Sequence, residues 1–370
     1  MGIDALSPKM LRALPAMQSL TIEEIATLAQ VSRSTVSRVL NNHPNVRAAV
    51  RERVMQVIQE HNYAPRAAAR SLASNRTHSI GVLVPSMMSE AVFHDPYLSV
   101  AMHGMITAAS RRGYFVMISM LTVDMQQGFY ARVLRGRPFD GLIMIGNQID
   151  EPMLPSLLRD QIPLVLCERH PYLRNLSWVD IQNQECAYIA VRHLLSLGHR
   201  RVATITGPLY TASGCDRRDG YKQALLEQAI PIDPDLIVAG DYAQDKAAAA
   251  MQLLLALPQP PTAVFAANDM MALGAIRAIR AAGLRVPEDI AIVGFDDISA
   301  PVIADIGLTT IRQPVSEVGM AAANLLIDQL ESQEISPAYR YLPTELVIRE
   351  SCGAHLHGAG KEKGVLQGAL

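Results

Sequence analysis

The chain has 370 residues, of which 49% are apolar and only 5% aromatic. This length is too great for one ordinary domain and favours two or three, and the aliphatic composition argues against an all-β sandwich and for α/β layers. The net charge of −2 hides an asymmetry, because residues 1–76 hold ten basic against five acidic side chains. A basic N-terminal segment followed by an acidic remainder indicates a polyanionic partner for the N-terminal segment alone.

Several protein classes are disfavoured by what the sequence lacks. The four cysteines show neither a CxxC pair nor a metal-ligand spacing, which predicts reduced structural thiols. No secretory signal pattern and no apolar run of 18 residues occurs, so we expect no membrane helix and a cytoplasmic protein. The phosphate-binding, nucleophile-elbow and zinc-protease motifs are also missing. We therefore expect no enzymatic activity, no metal and no other cofactor.

The first structured segment is predicted to form three short helices. The sequence TIEEIATLAQ opens with a capping box, in which Thr21 accepts a hydrogen bond from the backbone of Glu24 and the Glu24 side chain reaches back. After a tight turn, Ser32 is positioned to cap a second helix, and a third helix with an apolar face follows. Three helices with a tight turn between the first two are typical of a helix-turn-helix. The second helix of such a unit lies in the major groove of DNA.

The predicted second helix has an unusually polar surface, VSRSTVSRVLNN. We expect Arg33, Ser34 and Arg38 to face base edges, since arginine can donate twice to guanine. Thr35 and Ser37 would reach phosphates or flank them. A solvated helical hairpin with incidental arginines is the alternative. The predicted DNA contacts of this segment are Thr21, Ser32, Arg33, Ser34, Thr35, Ser37, Arg38, Asn41 and Arg51.

A short segment, YAPRAAARSLASNRT, links this unit to the rest of the chain. Leu72 is its only large aliphatic residue, and small helix formers surround it. In a helix lying across a minor groove, Leu72 would act as a wedge between base steps, with Arg66 and Ala69 as further DNA contacts. Isolated helices this short are marginal in water, so we expect the segment to order only on DNA.

From Ile80 onward, short apolar runs alternate with segments of helical length. The runs are SIGVLVP, YFVMISM, DGLIMIG, IPLVLCE, RRVATITG, TAVFAAND and DIAIVGFDD, and we expect them to form buried parallel strands. Helices are predicted over 97–112, 184–198, 218–229 and 270–282. The repeated β-α-β order predicts a doubly wound parallel α/β fold, and the length of the run predicts two similar lobes.

Polar residues follow three of these predicted strands. They are Glu168, the pair Asn268-Asp269 and the pair Asp296-Asp297. Open α/β sheets bind ligands at the carboxyl ends of their strands. Acids and amides beside an arginine suit a neutral polyhydroxylated ligand, because each sugar hydroxyl both donates and accepts. Each residue alone could equally cap a helix or form a turn, but the recurrence at three strand ends favours a binding cleft.

Together these motifs resemble those of bacterial transcriptional regulators of the lac repressor/galactose repressor (LacI/GalR) type. In chain order they are TIEEIATLAQVSRSTVSRVLNN, YAPRAAARSLAS, SIGVLVP, HLLSLGHRRVATITGP, RRDGY, AANDMMALGAIRAI, VPEDIAIVGFDD, LTTIRQP and TELVIRES. The resemblance runs from about residue 20 to 353. It implies a helix-turn-helix headpiece, a hinge helix and a two-lobed core like that of periplasmic sugar-binding proteins. Leu72 lies where the family has its minor-groove leucine.

The resemblance also implies an effector site between the lobes. The effector-binding residues that it implies are Tyr97, Glu168, Arg217, Tyr242, Asn268, Asp296 and Gln313. Of these, Arg217, Asn268 and Asp296 match the family's effector-contacting Arg, Asn and Asp. Glu168 takes an aspartate position that contacts sugar hydroxyls in some members.

Three features depart from the family pattern. Arg47 stands where the third helix of the headpiece usually has a Ser or Thr cap, and a lost cap costs about 0.5–2 kcal/mol. The segment SMMSEAVFHDPY is longer than usual and carries Tyr97 in place of the usual phenylalanine. The tail AHLHGAGKEKGVLQGAL lacks a leucine heptad, so we expect no tetramer through a C-terminal coiled coil.

These observations predict a cytoplasmic, homodimeric repressor. It would bind a palindromic operator with half-sites about one helical turn or a multiple apart, and release it when a sugar binds. A regulator that responds to a purine or nucleoside is one alternative, and a sugar-binding protein or enzyme on the same fold is another. The predicted domains are a disordered leader (1–19), a helix-turn-helix domain (20–64), a hinge helix (65–76), an effector-binding and dimerisation domain (77–353) and a flexible tail (354–370).

Overall fold

The computed structural model describes residues 20–40, 43–61, 63, 76–84, 96–120, 128, 136, 138–298, 307–332 and 336–357. The chain divides into two compact units, Met1–Thr77 and His78–Leu370. The predictions for the leader, for residues 358–370 and for Asn41, Arg66, Ala69 and Leu72 lie outside the described residues.

The first unit contains the three predicted helices. They are α1 (Ile22–Leu28), α2 (Arg33–Leu40) and α3 (Ala48–Glu60). The predicted capping box is present, since the Thr21 hydroxyl accepts from the Glu24 amide at 3.3 Å and the Thr21 amide donates to the Glu24 carboxylate at 2.6 Å. Ser32 accepts from the backbone of Thr35 at 3.2 Å and so caps α2. Arg47 precedes α3 and its side chain makes no capping hydrogen bond.

A small apolar core holds the three helices together. Its buried members are Ile25, Ala26, Ala29, Val36, Val39 and Val54. They recur at helical spacing on α1 and α2, so each helix buries one stripe and exposes the opposite polar face. The predicted helix-turn-helix is therefore confirmed.

The second unit is built from two six-stranded sheets. The strands of lobe 1 are β1 (Ser79–Val84), β2 (Phe115–Met120), β3 (Gly141–Ile145), β4 (Leu164–Cys167), β5 (Ser177–Asp180) and β11 (Tyr339–Tyr341). Those of lobe 2 are β6 (Val202–Thr206), β7 (Ile237–Ala239), β8 (Ala263–Ala266), β9 (Ala291–Asp296), β10 (Thr309–Arg312) and β12 (Glu345–Val347). Their spatial orders are β11-β5-β4-β3-β1-β2 and β12-β10-β9-β8-β6-β7. The equivalent orders confirm the predicted pair of similar lobes.

Parallel pairing dominates both sheets, and only the β10–β12 pair is antiparallel among the described strands. The seven apolar runs all form strands, as predicted. The prediction that YFVMISM is buried is wrong, because β2 lies at the edge of its sheet and Phe115 is 73% exposed. An edge strand has a neighbour on one side only, so its side chains have fewer partners.

Seven helices surround the described parts of the two sheets. They are α4 (Pro96–Arg111), α5 (Leu154–Arg159), α6 (Asn183–Ser196), α7 (Ala212–Glu227), α8 (Gln244–Leu255), α9 (Asp269–Ala281) and α10 (Val315–Ser332). The four predicted helices are present. However, α7 begins at Ala212 rather than at 218, because the Thr211 hydroxyl caps it by accepting from the Gly214 amide at 3.1 Å.

The chain crosses between the lobes three times. It leaves lobe 1 between β5 and α6, returns between β10 and α10, and crosses again between β11 and β12. Helix α10 packs against α4 and β3–β5, and Val318, Ala322 and Leu326 lie in the core of lobe 1. Two crossings therefore directly follow the carboxyl ends of β5 and β10.

The predicted flexible tail begins with structure. Residues Ala354–His357 form a 3-10 turn, and Ala354 is buried beside Cys352 in the core of lobe 2. All four cysteines are free. No helix in the described part of the chain is long and apolar enough to cross a membrane.

Candidate functional site

The polar face of α2 is the first candidate site. Arg33, Ser34 and Arg38 are exposed, while Thr35 and Ser37 are half-buried. The hydroxyl of Ser32 lies 2.8 Å from that of Ser34 and 2.9 Å from that of Thr35. The structure therefore gathers the predicted hydroxyls and arginines at one end and one face of a short helix.

The charged partners of this face are weakly held. Arg33 pairs with Glu23 at 3.1 Å, but the two side chains are 72% and 59% exposed. Exposed pairs of this kind contribute about 0–1 kcal/mol, so Arg33 can exchange Glu23 for another partner at little cost.

Two further arginines lie at the start of α3. Arg51 donates to the carbonyl of His43 at 2.6 Å and ties α3 to the turn before it. Arg47, which the sequence marked only as a missing cap, is an exposed cation at the start of α3.

The second candidate site is a cavity where the two lobes meet. Its walls surround about 240 Å³ of space, part of it open to solvent, and the free volume left between the side chains is about 10 Å³, roughly what one water molecule needs. Four predicted effector residues line it: Tyr97, Glu168, Arg217 and Gln313. The lining residues that the sequence analysis did not single out are Cys167, Val179, Asp180, Ile181, Asn183 and Val318.

Glu168 follows β4 and carries the clearest mark of a ligand-binding group. Its Oε1 accepts from the Ser213 hydroxyl at 3.1 Å, whereas its buried Oε2 has no hydrogen-bond partner. A buried polar atom without a partner costs about 1–3 kcal/mol. Burial, together with the negative charge of Asp180, raises the pKa of Glu168 to about 8, against the opposing effect of Arg217. A ligand group that forms a hydrogen bond with Oε2 would remove this cost.

Arg217 projects from α7 into the same space and is buried. Its Nε donates to Asn183 Oδ1 at 2.9 Å, and its Nη1 donates to the carbonyl of Ala267 at 2.6 Å. The guanidinium lies 3.7 Å from the centre of the Phe295 ring and 3.8 Å from the Asp296 carboxylate. Hydrogen bonds from two sides and an aromatic face fix its orientation.

Asp296 lies at the carboxyl end of β9, next to the cavity wall. Its Oδ1 accepts from Gln313 Nε2 at 2.6 Å, and Gln313 in turn lies at the crossing before α10. The backbone of Asp296 has a φ of 119°, and Glu168 has a φ of 151°. Such conformations are rare outside glycine and cluster at ligand sites, so two strand ends that meet the cavity are held under strain.

Tyr242 and Asn268 lie behind these residues. The Tyr242 hydroxyl is 3.1 Å from the Ser213 hydroxyl, and its ring occupies the space that a side chain at Gly207 would take. Asn268 caps α9 by accepting from the Met271 amide at 2.8 Å, and its amide nitrogen is 3.5 Å from the carbonyl of Tyr242. Asn268 therefore acts as a helix cap, which was the alternative for any polar strand end.

Two of the strand-end acids have structural partners instead of lining the cavity. Asp269 accepts from the Thr310 hydroxyl at 2.6 Å and from the Ile298 amide at 3.0 Å. Asp297 accepts from Arg312 and from Arg349, each at 2.7 Å. The polar strand ends thus divide into a group around the cavity and a group that ties lobe 2 together.

Among the lining residues that sequence reasoning missed, Asp180 and Asn183 are the two with a carboxylate or an amide side chain. Asp180 accepts from the amides of Arg169 and Ile181 and from the Asn183 side chain at 2.7–2.9 Å. Burial raises the pKa of Asp180 to about 6. The only sequence signal for this pair is the polar end of the short β5 segment, SWVD, immediately before the first crossing. No group of three or more His, Cys, Asp or Glu in the described residues is arranged to hold a metal ion.

Comparison with known families gives two matches. Residues 21–66 match bacterial regulatory proteins of the lacI family, and residues 191–352 match a periplasmic binding protein-like domain. The HTH-type transcriptional repressor CytR of Escherichia coli (strain K12) is 36% identical over 335 residues, which cover 90% of this chain and 96% of CytR.

Solved structures agree with these matches. A complex of the transcriptional regulator CelR with cellobiose is 34% identical, with a TM-score of 0.70, and covers 90% of this chain and 99% of that one. The lac repressor dimer bound to operator and the anti-inducer ONPF is 28% identical, with a TM-score of 0.76 and coverage of 90% and 99%. These relatives are named as transcriptional regulators or repressors, which agrees with the prediction that the chain is not an enzyme.

Proposed function

This chain belongs to the lacI family of bacterial regulatory proteins and is a DNA-binding transcriptional regulator, and we propose that it is a repressor released from its operator by a sugar. Residues 20–64 would bind DNA, residues 65–76 would form the hinge, and residues 77–353 would bind the effector and dimerise. The repressor would act as a homodimer in the cytoplasm, on a palindromic operator.

The polar face of α2 supports the DNA-reading part of the proposal. Arg33, Ser34 and Arg38 would contact base edges, and Arg51 would contact a phosphate. Leu72 would insert between base steps in the minor groove and kink the centre of the operator. Leu72→Ala should then weaken binding to operator far more than binding to unrelated DNA. Equal losses on both DNAs would contradict the wedge.

The free Oε2 of Glu168 is the observation that carries the effector part. It lies at a cavity that also presents the amides of Asn183 and Gln313 and the guanidinium of Arg217. Sugar hydroxyls donate and accept, so one ring can satisfy Glu168 and the opposite wall together. The similarity to a regulator solved with cellobiose is consistent with this ligand class.

The two walls of the cavity give the ligand a way to act on DNA. Glu168 belongs to lobe 1 and Arg217 to lobe 2, so a ligand that contacts both favours one relative position of the lobes. Operator affinity would change by the difference in ligand affinity between the two positions, and by no more than that. The sugar would favour the position that releases operator.

A thermal-shift panel tests the effector. Pentoses, hexoses, disaccharides, nucleosides and purine bases would each be added at millimolar concentration to the purified chain. A ligand at 100 times its Kd stabilises the fold by about 2.7 kcal/mol, so we expect a clear rise in Tm with one class of sugar. A rise with nucleosides or purines alone would replace the sugar by that class.

The site is tested with Asp296→Asn. This change removes the charge that faces Arg217 while preserving the shape of the side chain. We expect the sugar response to disappear and operator binding, measured by fluorescence anisotropy, to persist. Asp245→Asn, which alters an exposed carboxylate in lobe 2, is the matched control. A variant that still responds at the wild-type sugar concentration would place the effector elsewhere.

A further inference from the structure

An ion pair links the two lobes directly, beside the cavity. Arg169 follows β4 in lobe 1, and Asp216 lies in the second turn of α7 in lobe 2. One guanidinium nitrogen, Nη2 of Arg169, lies 2.6 Å from each carboxylate oxygen of Asp216. The side chains are only 28% and 14% exposed. Water therefore screens this pair less than it screens the exposed pairs of the molecule.

A second link between the lobes lies close by. The amide of Ile149, in the loop after β3, donates to the carbonyl of Tyr210 at 2.8 Å. Gln148 and Thr211 form an isolated antiparallel bridge at the same place. Tyr210 and Thr211 directly precede α7, so both links end on the first turns of one helix.

The same two turns of α7 carry groups of the cavity. Ser213 donates to Glu168 across the lobes, and Arg217 lines the cavity. Both lie between or next to the links at Thr211 and Asp216. Any separation of the lobes on this side must break the ion pair, the Ile149 hydrogen bond and the Ser213–Glu168 contact together.

The ion pair is suited to control position more than to add stability. Burial raises the pKa of Asp216 even though Arg169 beside it lowers that pKa, so the attraction only partly offsets the loss of hydration. Removing one partner leaves the other charge half-buried without its counterion, which is strongly unfavourable. Each side chain therefore neutralises the charge of the other only while the two lobes are in contact.

We propose that Arg169 and Asp216 form a latch that holds the two lobes together through contacts of the protein alone. The latch would oppose separation of the lobes on the side of α7. It would therefore limit the entry and release of a ligand at the cavity between them. This last consequence rests on the proposed effector site, whereas the latch itself does not.

Amide hydrogen exchange of the full chain tests the latch without DNA or ligand. The Ile149 amide is protected by an acceptor in the other lobe, so its exchange reports separation of the lobes. We expect Arg169→Gln and Asp216→Asn each to speed amide exchange of a peptide that covers Ile149 by about tenfold. An effect of this size is typical of the loss of one interaction between two side chains in contact. Peptides from β8 should exchange as in the wild type, which shows that the fold is intact.

The double variant and a matched pair complete the test. If the two side chains act as one latch, Arg169→Gln combined with Asp216→Asn should speed exchange no more than either change alone. Arg277→Gln and Asp245→Asn remove an ion pair of the same length, 2.6 Å, that lies within lobe 2, and should leave Ile149 unchanged. Wild-type exchange in the single variants, or losses that add in the double variant, would overturn the latch. Either result would leave the proposed repressor function intact.

Discussion

The two functional surfaces of this molecule treat their polar groups in opposite ways. On α2, Arg33 is 72% exposed and its ion pair with Glu23 is weak, so the surface is ready to exchange partners. In the cavity between the lobes, Arg217 is buried and held by Asn183, Ala267 and an aromatic ring. The first surface is built from neighbours in the sequence, whereas the second gathers residues from both lobes.

This difference determines how strongly each surface affects the free energy of unfolding. The solvated groups on α2 change the free energy of unfolding very little, since water screens their charges in the free protein. The buried groups must satisfy one another, because an unpaired charge in the cavity is expensive. Substitutions in the cavity should therefore change stability, and substitutions on α2 should change DNA binding alone.

The largest effect is expected for Arg217→Ala. The change leaves Asp296 without a cation and removes a donor from Asn183 and Ala267. Breaking a buried pair by removing one partner costs about 3–5 kcal/mol, which guanidinium unfolding of the full chain would measure. Arg277→Ala, at an exposed arginine, should change the same transition by less than about 0.5 kcal/mol. A similar loss of stability in both variants would contradict the claim that the buried arginine stabilises the fold more than an exposed one.

The pH dependence of stability should reveal the buried Glu168. Its pKa rises from the ordinary 4.5 to about 8 in the folded chain, so the folded chain binds this proton more tightly than the unfolded chain. As pH rises from about 4.5 to 8, ionisation lowers the free energy of unfolding, by up to about 1.4 kcal/mol per pH unit. Glu168→Gln cannot ionise and should lose less stability over this range. The Tm curves of variant and wild type should meet below about pH 4.5 and separate toward pH 8.

Glu227→Gln is the control for this titration. Glu227 is exposed, and its hydrogen bond from Tyr188 lowers its pKa, so it is ionised throughout the same pH range. Its curve should run parallel to that of the wild type. Parallel curves for Glu168→Gln as well would show that the Glu168 carboxyl ionises freely and lies in a wetter site.

In the helix-turn-helix unit the expected effects concern recognition of DNA. Arg33→Ala should weaken operator binding by about 1–3 kcal/mol and relax the preference for one base pair. Arg51→Ala should weaken operator and unrelated DNA to a similar degree and reduce the salt slope by about one. Anisotropy titrations on both DNAs at several salt concentrations separate these outcomes. If Arg33→Ala lowers both affinities equally, its role is that of a phosphate contact.

The smallest expected effects come from the helix caps. Thr21→Ala removes the hydroxyl that accepts from the Glu24 amide but keeps the backbone amide that donates to the Glu24 carboxylate. It should destabilise the headpiece by about 1 kcal/mol. Arg47→Ser offers α3 the side-chain cap that it lacks and should stabilise it by up to about 1 kcal/mol. Amide exchange in α1 and α3 would measure both changes. A loss on introducing Ser at position 47 would mean that the arginine stabilises α3 in another way.

How far the sequence predicts this structure depends on how local each feature is. The capping box of α1 and the buried strands β3, β4, β8 and β9 follow from residues within a few positions of one another. The short strands β7 and β12 do not. Each has three residues, and its strand state depends on pairing with a neighbour far along the chain. Such pairing leaves no periodic signal in the segment itself.

The same reasoning applies to the cavity. Glu168 and Asp296 were predicted because they end apolar runs, and Arg217 and Gln313 because of the family resemblance. Asp180 went unpredicted because its partners, among them the Arg169 amide, are brought to it by the crossing between the lobes. The chemistry of each side chain could be predicted, but its burial and its raised pKa depend on contacts between distant segments.

The position of α10 sets an order for folding during synthesis. Lobe 2 is nearly contiguous between α6 and β10, whereas lobe 1 needs a helix and a strand that are translated after most of lobe 2. A nascent chain that ends at residue 312 lacks Val318 and Leu326, so the apolar core of lobe 1, which includes Met105 of α4, is only partly covered. Such exposed apolar surface favours aggregation and recruits chaperones. Lobe 1 can therefore complete its core only when residues 315–341 have left the ribosome.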